Sequence, residues 1–130
     1  MRELNFRAWD VDVQEMVTLK QHVEQEIENG YMKREHHNEN VATFFERFFG
    51  CEIMQFTGLK GKNGVAICEG DIVESTLPRN KFFDDIAKVV FRKGSFMMKS
   101  VEFEDETSCL IDSEQFIEVI GNIYENEGIL

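Results

Sequence analysis

At Gly50 the spacing of apolar side chains changes, and that change most constrains what the chain can fold into. Before it, Val41, Phe44, Phe45, Phe48 and Phe49 recur at i, i+3, i+4, i+7 and i+8, the stripe of an amphipathic helix. Asn38 or Asn40 can cap the start of that helix, and Gly50 can stop it. After Gly50 the period shortens. Glu52 to Thr57, Val65 to Cys68, Ile72 to Glu74, Lys88 to Arg92, Ser95 through Phe103 and Phe116 to Ile120 are short strand-like runs separated by turn residues. Among those turns, Gly58 to Gly64 contains an Asn-Gly pair, and Lys93-Gly94 can close a hairpin.

Upstream, Leu4, Phe6 and Ala8 alternate with polar residues and predict a strand. Asp10-Val11-Asp12 supplies a turn, and Gln14 to Leu19 can return as the second half of a hairpin. Lys20 to Glu28 pairs Val23 with Ile27 and His22 with Glu26 at helical spacing, and Asn29-Gly30 stops it. Tyr31 to Glu39 is polar and aperiodic, which predicts a loop. Twelve phenylalanines and a single proline, Pro78, in 130 residues argue for a Phe-rich core that is partly sheet.

The sum is an α+β chain. It has an N-terminal β-hairpin and short helices (residues 1–50), packed on a C-terminal small SH3-like β-barrel (residues 51–130), as one compact domain.

Charge and cysteine usage narrow the function classes. The net charge is −11, which disfavours general nucleic-acid binding. The charge is also polarised. Nine acids and no lysine or arginine fall between Val101 and Leu130, whereas Arg79, Lys81, Lys88, Arg92, Lys93 and Lys99 form a basic strip. That strip could touch phosphate, or pair with the acidic segment of the same chain or of a neighbouring subunit, which is the preferred reading. Cys51, Cys68 and Cys109 are scattered, so free thiols in a reducing cytoplasm are expected. The opening residues carry no apolar signal-like stretch, and no apolar run approaches the ~18 residues of a membrane span.

No constellation spells out a reaction. Gly58 to Gly64, with Lys60 and Lys62, lacks the GxxxxGK[ST] order and leads into a strand, not the helix a phosphate cradle needs. His22 and Glu26, with His36, His37 and Glu39 nearby, have metal-ligand spacing but no HExxH pattern, and an exposed polar face is the simpler reading. There is no G-x-S-x-G elbow. A Glu69 and Asp71 acid–base pair has no sequence support beyond proximity. No catalytic residue, metal or cofactor is therefore expected.

Four stretches carry a family likeness: Arg2 to Asp10 (RELNFRAWD), Met54 to Val73 (MQFTGLKGKNGVAICEGDIV), Lys88 to Phe96 (KVVFRKGSF) and Glu118 to Asn126 (EVIGNIYEN). In these the chain resembles the YopX family of phage and prophage proteins. It departs from the family pattern at Gly61, where aspartate is usual, at Val65-Ala66, at Cys68 and at Glu127-Gly128. The resemblance implies a viral setting and brings no assigned activity.

The matched positions Trp9, Asp10, Gln55, Thr57, Gly58, Asn63, Gly64, Glu69, Gly70, Asp71, Gly121, Asn122, Tyr124, Glu125 and Asn126 form the candidate set. They read first as turns and strand ends, and second as a binding surface. Gly70 suits a sharp strand entry, and Gly121 a bulge or a close backbone approach.

The expected function is a non-catalytic protein-interaction module that self-associates through surplus aromatic surface and engages a host or phage protein in the cytoplasm. Two alternatives stand beside it. One is a nucleic-acid-associated protein using the basic strip 79–99. The other is an acidic DNA mimic, with Glu102-Glu104-Asp105-Glu106 imitating phosphates.

Overall fold

The computed structural model describes residues 5–30, 37–75, 86–101, 107–109 and 116–129. They form a mixed α+β structure with two antiparallel sheets and two short helices. The chain divides into two compact units, Met1–Gln55 and Phe56–Leu130.

In the first unit, β1 (Phe6–Asp10) and β2 (Glu15–Thr18) form a hairpin in which Ala8 faces Val17. The side chain of Asp10 accepts from the Asp12 N–H at 3.0 Å, so the turn is built by its own aspartate. Helix α1 (Leu19–Glu28) follows at once. Its start is a capping box: Thr18 Oγ1 accepts from Gln21 N at 3.1 Å, and Gln21 Oε1 accepts from Thr18 N at 2.8 Å. Asn29 closes it and Gly30 takes positive φ.

Helix α2 spans His37–Arg47, beginning earlier than its apolar stripe predicts. Asn40 is buried inside the helix and does not cap it. The polar stretch before it lacked apolar period, yet polar residues can still continue a helix when its other face is packed. The core here is Ala8, Leu19, Phe44 and Phe48, edged by Phe6, Val17, Val23, Val41, Cys51 and Ile53. Phe45 and Phe49 stay outside it, at 38% and 90% exposure.

Strand β3 (Ile53–Lys60) pairs with β1 through Ile53, Met54 and Gln55, and with β4 (Ala66–Cys68) through Phe56 and Lys60. Gly58 lies within this strand, between the two β4 pairs where the register shifts, not in the turn its sequence suggests. The remaining strands are β5 (Asp71–Ser75), β6 (Ile86–Arg92), β7 (Ser95–Ser100), β8 (Thr107–Cys109) and β9 (Ile117–Asn122). They run in the order β8-β7-β6-β5-β9 as a curled half-barrel.

Strand β8 is one that alternation in the sequence does not announce, since it pairs only three residues. Ile67, Val73, Ala87, Val89, Met98 and Ile117 form the core of this unit. A short 3₁₀ turn, Glu127–Ile129, closes the described chain. The basic positions Arg79 and Lys81, the acidic run 102–106 and His36 lie outside the described residues. No helix among the described residues is long and apolar enough to cross a membrane.

Candidate functional site

The candidate residues of the first unit sit on its strands. Trp9 donates its N–H to Glu52 O at 3.1 Å, Asp10 ends β1, and Gln55 lies opposite Phe6. The second unit brings the others together around the ends of β4, β5 and β9. Thr57 is buried, and its hydroxyl donates to Ile67 O at 2.9 Å while accepting from Leu59 N at 3.1 Å. Those two bonds fix the irregular middle of β3, beside Gly58.

Between β4 and β5 the chain turns through Glu69-Gly70. Gly70 has φ +86°, donates its N–H to Val89 O at 2.8 Å and accepts from Ile123 N at 2.9 Å. A side chain would be strained at that φ, and the residue is buried between both neighbours. Asp71 is 2% exposed, and its Oδ2 accepts from Cys68 N at 2.8 Å, bracing the same turn.

Opposite Asp71 lies Asn122, at the end of β9. Its Oδ1 accepts from Tyr124 N at 3.0 Å and Glu125 N at 2.9 Å, and its Nδ2 donates to Glu125 Oε1 at 3.2 Å. Asn126 Oδ1 accepts from Asn122 N at 3.1 Å by lying across Gly121. A Cβ on Gly121 would come within 2.5 Å of that oxygen, so the residue there must be glycine unless Asn126 moves. Register against β5 shifts between Ile72 and Val73, opposite Gly121 and Val119, which leaves Ile120 as the extra residue of a bulge.

Gly61-to-Gly64 makes a turn, with Gly64 N donating to Gly61 O at 2.9 Å. The turn leans on β9: Lys62 N donates to Ile117 O at 2.9 Å, Asn63 Nδ2 donates to Glu118 Oε1 at 2.8 Å, and Lys62 Nζ lies 3.7 Å from Glu118 Oε2. A Cβ on Gly61 would meet Ile117 O at 2.9 Å. The glycine at this position is therefore what lets the loop come this close.

Two arrangements escape sequence reasoning. The first is a polar junction between α1 and α2. His22 is buried, its Nε2 lies 3.2 Å from Thr43 Oγ1, and its Nδ1 lies 3.2 Å from Arg47 Nη1. Thr43 donates its own proton to Asn40 O at 2.9 Å, so it accepts from Nε2–H, and the bare Nδ1 accepts from the guanidinium. Burial first, and the Arg47 charge second, push the His22 pKa below 6.5, against a smaller upward pull from Glu26.

The second is on β6 and β7. Ala87, Val89 and Met98 point to the core, so the alternate pairs Lys88↔Lys99, Val90↔Met97 and Arg92↔Ser95 occupy the opposite face. A two-residue turn at Lys93-Gly94 fixes this register, so the Lys88–Lys99 pairing was recoverable by counting outward from it. Among the described residues, no three His, Cys, Asp or Glu side chains could hold one metal ion.

Fold and site define a small α+β scaffold whose recurrent polar residues brace backbone turns. Residues 5–130 match the family described as YopX protein, and the chain belongs to that family. Among solved structures, it is similar to the crystal structure of protein EF1440 from Enterococcus faecalis. The two are 25% identical with a TM-score of 0.57, over 100% of this chain and 99% of that one. No curated protein matches the chain.

Proposed function

We propose that this chain is a non-catalytic, phage- or prophage-encoded interaction module that self-associates and acts on a protein partner in the host cytoplasm. The observation that carries the reading is the aromatic surface left over from α2 and the turn that follows it. Phe44 and Phe48 fill the core, whereas Phe45 is 38% and Phe49 90% exposed. An exposed Phe ring gains about 1.5–3 kcal/mol when it is taken out of water, so a second copy that covers Phe49 is favoured.

The motif chemistry supports binding over catalysis. Thr57, Asp71, Asn122 and Asn126 direct their polar atoms at backbone groups of their own turns. In this reading the second unit serves as an SH3-like scaffold that presents its outer strands. Light scattering across micromolar concentrations tests the self-association. The wild-type chain should gain mass with concentration, and Phe49→Ser should shift it to monomer. A wild-type chain that is monomeric throughout would overturn the reading.

A further inference from the structure

From the outer face of the β6–β7 hairpin, we infer that this face is a docking surface for an acidic segment of another protein, one in which carboxylates are interleaved with apolar side chains. This rests on the reading of the chain as a protein-interaction module and names the partner's chemistry.

The face begins with a local conflict. Lys88 and Lys99 are directly opposite each other on adjacent antiparallel strands, where Cα atoms are about 4.5–5.5 Å apart. Like charges in that position destabilise a sheet. Both lysines are half-buried, and among the described residues no carboxylate pairs with either. On the β5 side Lys88 faces the buried Ile72, and on the β8 side Lys99 faces Thr107, so no neighbour in the row supplies a counter-charge. Glu74, the next β5 residue on this face, lies one diagonal step from Lys88 and makes no ion pair with either lysine. Glu118, across from Glu74 on β9, lies 3.7 Å from Lys62 Nζ and is used there. A bound carboxylate resolves the repulsion.

Beside the lysines lie Val90 and Met97, also half-buried, and beyond them Arg92, with Lys93 at the hairpin tip. The face thus alternates cation, apolar, cation along the strands. Methionine suits an adaptable peptide-binding surface.

The same layout argues against nucleic acid. The aromatic pair Phe91 and Phe96, with ring centroids 5.1 Å apart, is in register with the core-facing rows Val89↔Met98 and Ala87↔Ser100, so among the described residues of β6 and β7 no ring shares the lysine face to stack on a base. A duplex also carries one phosphate charge per about 1.7 Å, which would run past this patch onto a chain of net charge −11. A short acidic peptide satisfies the patch without that cost.

The test uses the full chain and a short fluorescent peptide in which glutamate alternates with leucine and valine, read by anisotropy at low salt. The glutamate peptide should bind, and its glutamine counterpart should bind about tenfold more weakly or worse. Lys99→Thr should weaken binding by a similar factor while the melting temperature stays level or rises, because the cross-strand repulsion is gone. Lys88→Gln repeats the test if Lys99→Thr folds poorly.

Equal binding of the two peptides, unchanged binding in both variants, or no binding at all overturns the inference. So does displacement of the peptide by duplex DNA at lower concentration, which would make the face a nucleic-acid site. Loss of self-association in Lys99→Thr would also overturn it, by making the face a contact between copies. Phe49→Ser separates this assignment from the reading beneath it: that variant should lose mass in light scattering and bind the peptide as wild type does.

Discussion

At the scale of single residues, two buried polar groups set the chain's sensitivity to chemistry. Asp71 Oδ2 takes the Cys68 N–H inside the turn that leads into β5, where water does not reach. Asp71→Ala should therefore destabilise the chain by about 1–3 kcal/mol, the cost of leaving a buried donor unpaired. Asp71→Asn keeps an acceptor oxygen and should lose less, and urea midpoints of the two variants check the order. His22 makes the complementary case. Its Nδ1 accepts from Arg47, so a proton added there meets a guanidinium at 3.2 Å. With its folded pKa held below 6.5, the unfolded chain takes up the proton first. Stability from this group is thus complete above about pH 6.5 and falls as pH drops below it. The wild-type denaturation midpoint should drop more steeply from pH 7 to pH 5 than that of His22→Gln. An NMR titration placing the His22 pKa at or above 6.5 would refute the account.

At the scale of elements, legibility followed how local the cause was. Helix α1, the β1–β2 hairpin and the β6–β7 hairpin were readable because a cap, an aspartate turn or a Lys-Gly turn sits beside the residues it organises. Strand β8 was not, because three residues without apolar alternation announce no strand. The bulge at Gly121 was legible as a glycine, but its extra residue, Ile120, is set only by the register against β5. The same holds for the site. Gly121's close approach is visible as a glycine, but its cause, Asn126 folding back over it, appears only in three dimensions. The apolar stripe before Gly50 overstated both helix and core, since α2 ends at Arg47 and the turn after it carries Phe49 outside. The β6–β7 turn carries its own prediction. Lys93 has φ +52° and Gly94 φ +83°, the both-positive pattern of a type I′ turn, which favours Asn-Gly. Lys93→Asn should stabilise the chain by about 0.5–1 kcal/mol by easing a left-handed lysine. Thermal melts would show this, and a neutral or negative shift would mean that the lysine side chain contributes contacts that offset the strain.

At the scale of the whole molecule, like charges repel across the entire chain. Twenty-five acids against fourteen lysines and arginines leave −11, and a net charge that far from zero opposes the compact state. Salt shortens the reach of that repulsion, from a Debye length of about 30 Å at 0.01 M to about 8 Å at 0.15 M. Raising sodium chloride across that range should therefore stabilise the fold, by an amount on the order of 1 kcal/mol or roughly 3–6 °C in a chain of this length. Favourable pairs such as Lys62 with Glu118 pull the other way, but that pair is partly exposed at 3.7 Å and contributes little. The docking of an acidic segment on Lys88 and Lys99 depends on salt with the opposite sign, because screening weakens an attraction there. One titration with salt, followed both by melting and by peptide anisotropy, should thus show stability rising while binding falls. A melting temperature that falls together with binding would mean that local attraction outweighs the acidic excess, and that the charges are far better paired across the fold than their numbers imply.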